Sequence, residues 1–381
     1  MWMEMLVMGW LALELTDSAW WVSLLGFCRS IPLLFIGSWG AILTDRFPRR
    51  LLLIAFQGTA TLGILLLCIS SWWGVLAYWQ LAIFSLLQGA IWALDWPTRR
   101  AIIPDLVGRE RVVDAMVLEN AIQNTTRVVG PLCGGWGLAA WGVGGSLVIL
   151  LGIALVSLVF LWGIRSPSRA PGAPSSLGAA LETTRKGWQF VRSNRRIWGV
   201  FLITIFMNVW AFPYMNLLPV FARDILGQGP VGLGWLGAAH GVGATLGLFL
   251  VHWARERMSN EWLFAGGSIL LCLGLVAFAL SASFHLSLLT LLVSGLGQSG
   301  FSIMQSGIIL VESSDEMRSR VMGALVLAIG LGPLGRLQSG SMAEIWGAPL
   351  AVGGMAALAA LGTLITALLI RGFLTGHKAR V

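Results

Sequence analysis

Basic residues occupy only every second connection between the long apolar stretches of this sequence. The turns between the basic connections carry no lysine or arginine apart from Arg223. In membrane proteins the cytoplasmic connections are enriched in these two residues. The alternation therefore predicts a chain that crosses a membrane many times, with the basic connections and both ends in the cytoplasm. Lysine and arginine cluster at residues 44–50, 96–112, 164–196, 252–261, 311–320 and 371–381.

The charge content supports a membrane protein and excludes other classes. Charged residues make up 11% of the chain, against about 25% in soluble globular proteins. A soluble domain of 381 residues could not cover its surface with so few charges. The net charge of +8 lies in the connections, where it sets topology, so we expect a lipid bilayer as the surroundings and no nucleic-acid partner.

With about 20 apolar residues per crossing, the sequence predicts an all-α polytopic protein with twelve transmembrane helices in two six-helix bundles. The N-terminal bundle covers residues 1–163, a cytoplasmic linker 164–196, and the C-terminal bundle with a short basic tail 197–381. The first helix, of about 14 residues, reaches only ~21 Å of a ~30 Å hydrocarbon core. We expect its natural start to lie upstream, and a natively short helix is the alternative. The helices are expected near residues 1–14, 19–43, 51–70, 75–95, 115–139, 144–163, 197–219, 230–251, 262–281, 285–310, 321–343 and 348–370.

The linker contains one amphipathic segment. Its apolar residues share one helical face opposite a basic face, which predicts a helix lying on the cytoplasmic leaflet. A regulatory helix bound by a calmodulin-like partner is the alternative. The apolar face consists of Leu177, Leu181, Trp188 and Val191, and the basic face of Arg185, Lys186, Arg192, Arg195 and Arg196.

Several stretches resemble the major facilitator superfamily. The segment from Gly40 to Arg50 is similar to the charged loop between the second and third helices of these transporters, with Ala41 and Pro48 at two glycine positions. Four further stretches resemble the branch that holds bacterial enterobactin and macrolide exporters. They are Trp10–Ser18, Asp95–Val107, Leu218–Asp224 and Met317–Gly323.

The resemblance implies roles for two groups of residues. One group would latch the cytoplasmic side closed, with Asp45 against the start of helix eleven, and topogenesis alone is the alternative. The other resembles the helix-five motif that the superfamily associates with antiporters, although Thr126 replaces its upstream glycine. The latch comprises Asp45, Arg46, Arg49, Arg50 and Arg99, and the helix-packing motif comprises Gly130, Pro131, Gly134 and Gly135.

Charged residues inside the spans are costly and are therefore candidates for function. Glu119, Gln123 and Arg127 are spaced i, i+4, i+8 and share one face of helix five. A cavity-facing carboxylate can take up and release a proton, so Glu4, Glu119 and Arg127 are the proton-coupling candidates. The alternative is that these charges satisfy each other and only hold helices together.

Other polar and aromatic side chains could line a cavity for a bulky, partly apolar solute. We find no G-x-x-x-x-G-K-S/T nucleotide motif and no clustered metal ligands, so we expect no enzyme activity, cofactor or metal. Energy would then come from an ion or substrate gradient. The candidates are Arg29, Gln123, Asn208, Trp210, Tyr214, Asn216, Gln298 and Gln305.

Together these features predict a monomeric secondary transporter of the bacterial inner membrane. We expect it to export a small amphipathic molecule, of the drug or siderophore class, by proton antiport with alternating access. A nutrient importer or facilitator on the same fold is the first alternative, since fold does not fix direction. A non-transporting membrane receptor or scaffold is the second.

Overall fold

A computed structural model describes residues 1–36, 47–164 and 177–370 of the chain. Nearly all of these residues are helical, and none of them lies in a strand. The all-α prediction is therefore confirmed. Asp45 and Arg46 of the predicted latch lie outside the described residues.

Five α-helices and one short 3₁₀ helix, Arg109–Arg111, make up the N-terminal part of the described structure. The last of them contains two membrane passes, because the chain turns sharply at Gly142, where φ is 64°. Glycine adopts this conformation without the strain that a side chain would add. The helices are α1 (Trp2–Thr16), α2 (Ala19–Ile36), α3 (Arg49–Trp72), α4 (Tyr78–Val107) and α5 (Val112–Gly163).

Nine helices follow among the described residues, and one of the passes that they form is interrupted. Two π-helical segments, Met207–Ala211 and Phe221–Ile225, flank α8, and together with α7 they form a single pass. The helices are α6 (Leu177–Ser193), α7 (Arg195–Phe206), α8 (Tyr214–Val220), α9 (Pro230–Ala254), α10 (Asn260–Ala279), α11 (Phe284–Glu312), α12 (Asp315–Ile329), α13 (Gly332–Trp346) and α14 (Ala348–Leu369).

The described helices agree with the predicted twelve passes. Within the described ranges, nine helical stretches are long and apolar enough to cross a membrane by themselves. One of these, Asp114–Gly163, contains the two passes of α5. The two remaining passes are α1, which has only 15 residues, and α4, whose apolar run is interrupted by Gln80, Gln88 and Asp95.

Small residues bring the two halves of the molecule into close contact. Gly135 of α5 and Gly234 of α9 face each other so closely that a Cβ on Gly234 would lie 2.7 Å from the carbonyl oxygen of Pro131. At a second contact, a Cβ on Gly340 of α13 would lie 2.6 Å from Cβ of Ser23 in α2. Membrane helices associate through such small residues because no hydrophobic effect drives them together.

Polar side chains join the two halves at one end of the bundle. Arg223, at the end of the interrupted pass, donates a hydrogen bond to the carboxylate of Asp17, in the turn after α1. The carboxylate of Glu344, near the end of α13, accepts hydrogen bonds from the hydroxyl of Ser18 at 2.9 Å and the backbone N–H of Trp20 at 3.2 Å. We call these contacts the closed end.

The amphipathic segment of the linker forms α6, and part of its apolar face packs on protein. Trp188 makes an edge-to-face contact with Phe201 of α7, and Val191 is completely buried. Gly187 lies against α12, where a Cβ would clash with the carbonyl oxygen of Arg320. The described part of this helix face therefore rests on the C-terminal bundle, and contact of the helix with lipid stays a prediction.

Candidate functional site

Three arginines from both halves of the molecule reach one central cavity. Arg29 comes from α2, Arg127 from α5 and Arg336 from α13. The cavity has a volume of about 270 Å³, and two further cavities adjoin it through shared lining residues. Arg29 lines all three. A cavity at the interface of two bundles is a typical place for a small-molecule site.

Arg29 pairs with the carboxylate of Glu4. Its Nη1 donates a hydrogen bond to Oε1 of Glu4 at 2.7 Å, and only 7% of the Glu4 side chain is exposed. Gly89 of α4 lets the backbone of α2 approach closely at Arg29, because a Cβ there would clash with the carbonyl oxygen of Arg29. Glu4 lines the adjoining cavity together with Arg29. The structure thus brings two of the candidate residues into direct contact.

Arg127 and Arg336 have different surroundings from Arg29. The guanidinium group of Arg127 lies 5.0 Å from the ring centroid of Trp2, and its Nε is buried without a hydrogen-bond partner among the described residues. Neither Arg127 nor Arg336 forms an ion pair with any residue in the described ranges. These two guanidinium groups are therefore available to a ligand.

Several of the predicted polar residues lie at these cavities. Asn208 and Gln298 line the central cavity, and Asn216 lines an adjoining one, where its Nδ2 is buried and has no partner in the part of the chain that the structure describes. Tyr214 is buried, and its ring centroid lies 5.7 Å from that of His240, which lines the central cavity.

Two predicted residues of the C-terminal half lie away from these cavities. Gln305 is buried and donates a hydrogen bond to the hydroxyl of Thr204 at 2.7 Å. Trp210 donates to Gln338 at 3.2 Å and stacks on Phe206. Both make contacts within their own bundle.

The predicted stripe on helix five is divided between two places. Arg127 lies in the cavity, whereas Glu119 forms an ion pair with Arg100 of α4 at 3.5 Å. Gln123 is exposed and donates a hydrogen bond to Glu119 at 3.2 Å. Glu119 and Gln123 line none of the three cavities described above.

The described latch residues make contacts within the N-terminal half. Arg49 donates to the carbonyl oxygen of Ala101 at 2.6 Å and to the carboxylate of Asp105 at 2.8 Å. Arg50 donates to the carbonyl oxygen of Trp162 at 2.8 Å. In the same way, Arg99 donates to the carboxylate of Asp95.

The helix-five motif lies between α1 and α9. A Cβ on Gly130 would lie 2.9 Å from Cβ of Trp2, and a Cβ on Gly134 would lie 3.3 Å from the carbonyl oxygen of Met3. On the other side, Gly135 and Pro131 face α9, as described above. The motif therefore lets α5 approach a helix of each half.

Sequence reasoning did not include Arg336 among the site residues. The signal was available, because an arginine inside a span is a candidate for function in its own right. In residues 1–36, 47–164 and 177–370, no group of three or more His, Cys, Asp or Glu side chains is placed to hold a metal ion.

Two helical bundles around a shared cavity that contains several arginines are typical of transporters of the major facilitator type. A model of the family described as "Transmembrane secretion effector" matches residues 1–375, and the chain belongs to this family of membrane transporters. As a transporter it is not an enzyme, and the resemblance seen in the sequence is confirmed.

Three known transporters are similar in sequence to this chain over much of their own length. The chain is 24% identical to the MFS-type transporter YfiS of Bacillus subtilis, covering 92% of this chain and 85% of that one. It is 24% identical to the enterobactin exporter EntS of Escherichia coli, covering 81% and 73%. It is 21% identical to the staphyloferrin A transporter of Staphylococcus aureus, covering 59% and 56%.

Solved structures share the fold at low identity. A mutant of the nucleoside transporter NupG superposes with a TM-score of 0.75 at 13% identity, covering 97% of this chain and 94% of that one. A bacterial homologue of the lysosomal transporter Spinster, inward-facing and unoccupied, gives 0.69 at 16% identity, covering 98% and 91%. These likenesses concern the fold alone.

Proposed function

We propose that this transporter exports a small amphipathic molecule, of the siderophore or drug class, by proton antiport. The names of two relatives, an enterobactin exporter and a staphyloferrin A transporter, support the siderophore class. The observation that carries proton coupling is the buried ion pair of Glu4 and Arg29 at the cavity wall. We expect a monomer in the bacterial inner membrane, with both ends in the cytoplasm.

The pair can couple cargo to protons because the Glu4 carboxylate either binds Arg29 or takes up a proton. Cargo that fills the cavity displaces water, and the lower dielectric strengthens the attraction between the two charges. Glu4 then releases its proton and binds Arg29. When cargo has left, water returns, the attraction weakens and a proton from outside can bind. Proton and cargo thus occupy the protein in alternation.

Alternating access also needs closure at each end of the cavity. If the basic connections face the cytoplasm, the closed end formed by Asp17, Arg223 and Glu344 faces away from it. Cargo would then enter from the cytoplasm in this conformation, which is the first step of export. At the other end, Asp45 and Arg46 would form the latch together with Arg49, Arg50 and Arg99.

The proposal is tested in liposomes that contain the purified transporter and a pH-sensitive dye. Enterobactin and staphyloferrin A are added in turn under an imposed proton gradient. We expect one of them to move in exchange for protons, and Glu4→Gln to abolish the proton movement. Glu312→Gln is the matched control, because Glu312 pairs with Arg196 at 2.6 Å away from the three cavities. Cargo movement without proton movement in the unmodified protein would overturn antiport.

A second candidate is import of cargo together with a proton. The observation that favours it is that Arg29 itself lines the cargo cavity. An anionic cargo could take Arg29 away from Glu4, and the freed carboxylate would take up a proton that travels with the cargo. Cargo binding in weakly buffered detergent solution separates the candidates: proton release supports antiport, and proton uptake supports import.

A further inference from the structure

The charge of the central cavity is strongly unbalanced. Arg29, Arg127 and Arg336 all reach it, and the described residues that line it include no aspartate or glutamate. The carboxylate of Glu4 approaches from the adjoining cavity and pairs with Arg29 alone among the three. Intramembrane arginines are normally paired, because an unpaired charge in apolar surroundings is costly.

The guanidinium groups of Arg127 and Arg336 have no anionic partner among the described residues. Trp2 lies beneath Arg127 and supports it through a cation–π contact at 5.0 Å. The Nε of Arg127 is buried, and no described residue accepts a hydrogen bond from it. Arg336 comes from the opposite half of the molecule. A ligand bound to both groups would therefore touch both bundles.

The rest of the wall suits an apolar or aromatic body. Trp2, Trp92 and Phe212 line the same cavity as the arginines, along with aliphatic and methionine side chains. Asn208 and Gln298 add neutral hydrogen-bonding groups. A guanidinium group recognises a planar oxyanion through two parallel hydrogen bonds. The cavity thus offers an oxyanion site beside an aromatic surface.

We propose that the cavity selects organic anions, with Arg127 and Arg336 binding the carboxylate or other oxyanion of an amphipathic cargo. The inference names the cargo class for the transport proposed above and rests on this cavity being the cargo site. Arg29 stays with Glu4, so that cargo recognition and proton coupling use different guanidinium groups.

The test compares two probes that share an aromatic body, the carboxylate naphthylacetate and the uncharged naphthylethanol, by calorimetric titration of the purified transporter in detergent. We expect naphthylacetate to bind at least about tenfold more tightly, as for a charge-assisted hydrogen bond. Arg127→Gln and Arg336→Gln should each weaken naphthylacetate binding about tenfold. Each should change the affinity for naphthylethanol by less than about twofold.

Two further variants keep the result interpretable. Arg257→Gln is the matched control, since it removes an arginine that is exposed, stacks on Trp253 and lies away from the cavity. It should change neither affinity. Arg336→Lys keeps the charge and should retain part of the preference for naphthylacetate. The Arg336→Gln variant should fold as well as the unmodified protein, because the substitution removes a costly charge from the membrane interior.

Three results would overturn the proposal. The first is equal affinity for the two probes, and the second is that neither probe binds. The third is that the affinities stay unchanged in both glutamine variants. These outcomes are separate from those of the transport assay. If naphthylacetate binding depends on Arg127 and Arg336 while no siderophore moves in liposomes, the anion site stands and the export proposal fails. If a siderophore moves against protons while the probes bind equally, export stands and anion selectivity fails.

Discussion

Arg223 and Asp17 join the two halves of the molecule through a hydrogen bond between a guanidinium group and a carboxylate. Asp17 is 82% exposed in its side chain and adopts a left-handed backbone conformation, with a φ of 49°. Glu344 ties the same two halves through Ser18 and the backbone of Trp20. Water can replace such exposed contacts at low cost, which suits an end that must open and close.

The first prediction concerns opening of this end in Asp17→Asn. An exposed ion pair that holds the end closed contributes about 0.2–1 kcal/mol, so the opened population should rise by about 1.4- to fivefold. Spin labels at the exposed positions Leu15 and Ile345 measure the distance between the ends of α1 and α13. Asp114→Asn, an exposed acid at the start of α5, serves as the control. An unchanged population in Asp17→Asn would contradict the role of the closed end.

The second prediction is a double-mutant cycle on Glu4 and Arg29. Arg29→Met leaves a buried carboxylate without its partner and should lower the free energy of unfolding by about 3–5 kcal/mol. Adding Glu4→Gln removes that carboxylate charge, so the double variant should recover much of the loss. Unfolding titrations with SDS provide the free energies. A double variant as unstable as Arg29→Met would show that the pair is not coupled.

The third prediction concerns the backbone contact between α5 and α9. In Gly234→Ala the added methyl group would lie 2.7 Å from the carbonyl oxygen of Pro131, and the free energy of unfolding should fall by about 1–3 kcal/mol. Gly152→Ala is the control, because a Cβ there meets no atom within 4 Å. Its stability should stay the same or rise by up to about 1 kcal/mol. Equal effects of the two substitutions would refute the contact.

The fourth prediction concerns Arg49, which ties the start of α3 to the end of α4. Its ion pair with Asp105 is partly exposed, so Arg49→Gln should lower the free energy of unfolding by about 1 kcal/mol. Arg185→Gln removes an exposed arginine of α6 and should have little effect. Thermal unfolding measures the stability of both variants. If both variants melt alike, Arg49 serves topology alone.

The fifth prediction concerns the latch. A carboxylate at a helix N-terminus contributes about 0.3–1 kcal/mol, so Asp45→Asn should slow transport by up to about fivefold while membrane insertion stays normal. Transport in liposomes and the amount of protein in the membrane fraction give the two readings. Unchanged transport in Asp45→Asn would remove the latch from the mechanism.

The sequence predicted the passes well because a membrane restricts how a chain can fold. Every backbone polar group must be satisfied inside the bilayer, which leaves helices as the solution for apolar runs of this length. Basic clusters then indicated which connections share a side. The two π-helical segments in the pass from Arg195 to Ile225 were not predicted, because hydrophobic periodicity does not distinguish a π-helical turn from an α-helical one.

The site was predicted in part, and helix geometry explains the limit. Glu119 and Arg127 share a helical face, but eight residues at 1.5 Å each separate them by about 12 Å along the axis. One therefore reaches Arg100 at the helix end while the other reaches the cavity. Glu4 and Arg29 were both candidates, but their contact depends on how α1, α2 and α4 pack, which periodicity within a single helix does not contain.

The contact between Gly135 and Gly234 has a consequence for the history of such proteins. At this joint the bundles meet through main-chain atoms, whereas the cavity is built from side chains such as Arg127 and Arg336. Substitutions that alter which molecule is accepted can therefore accumulate without disturbing this main-chain contact between the bundles.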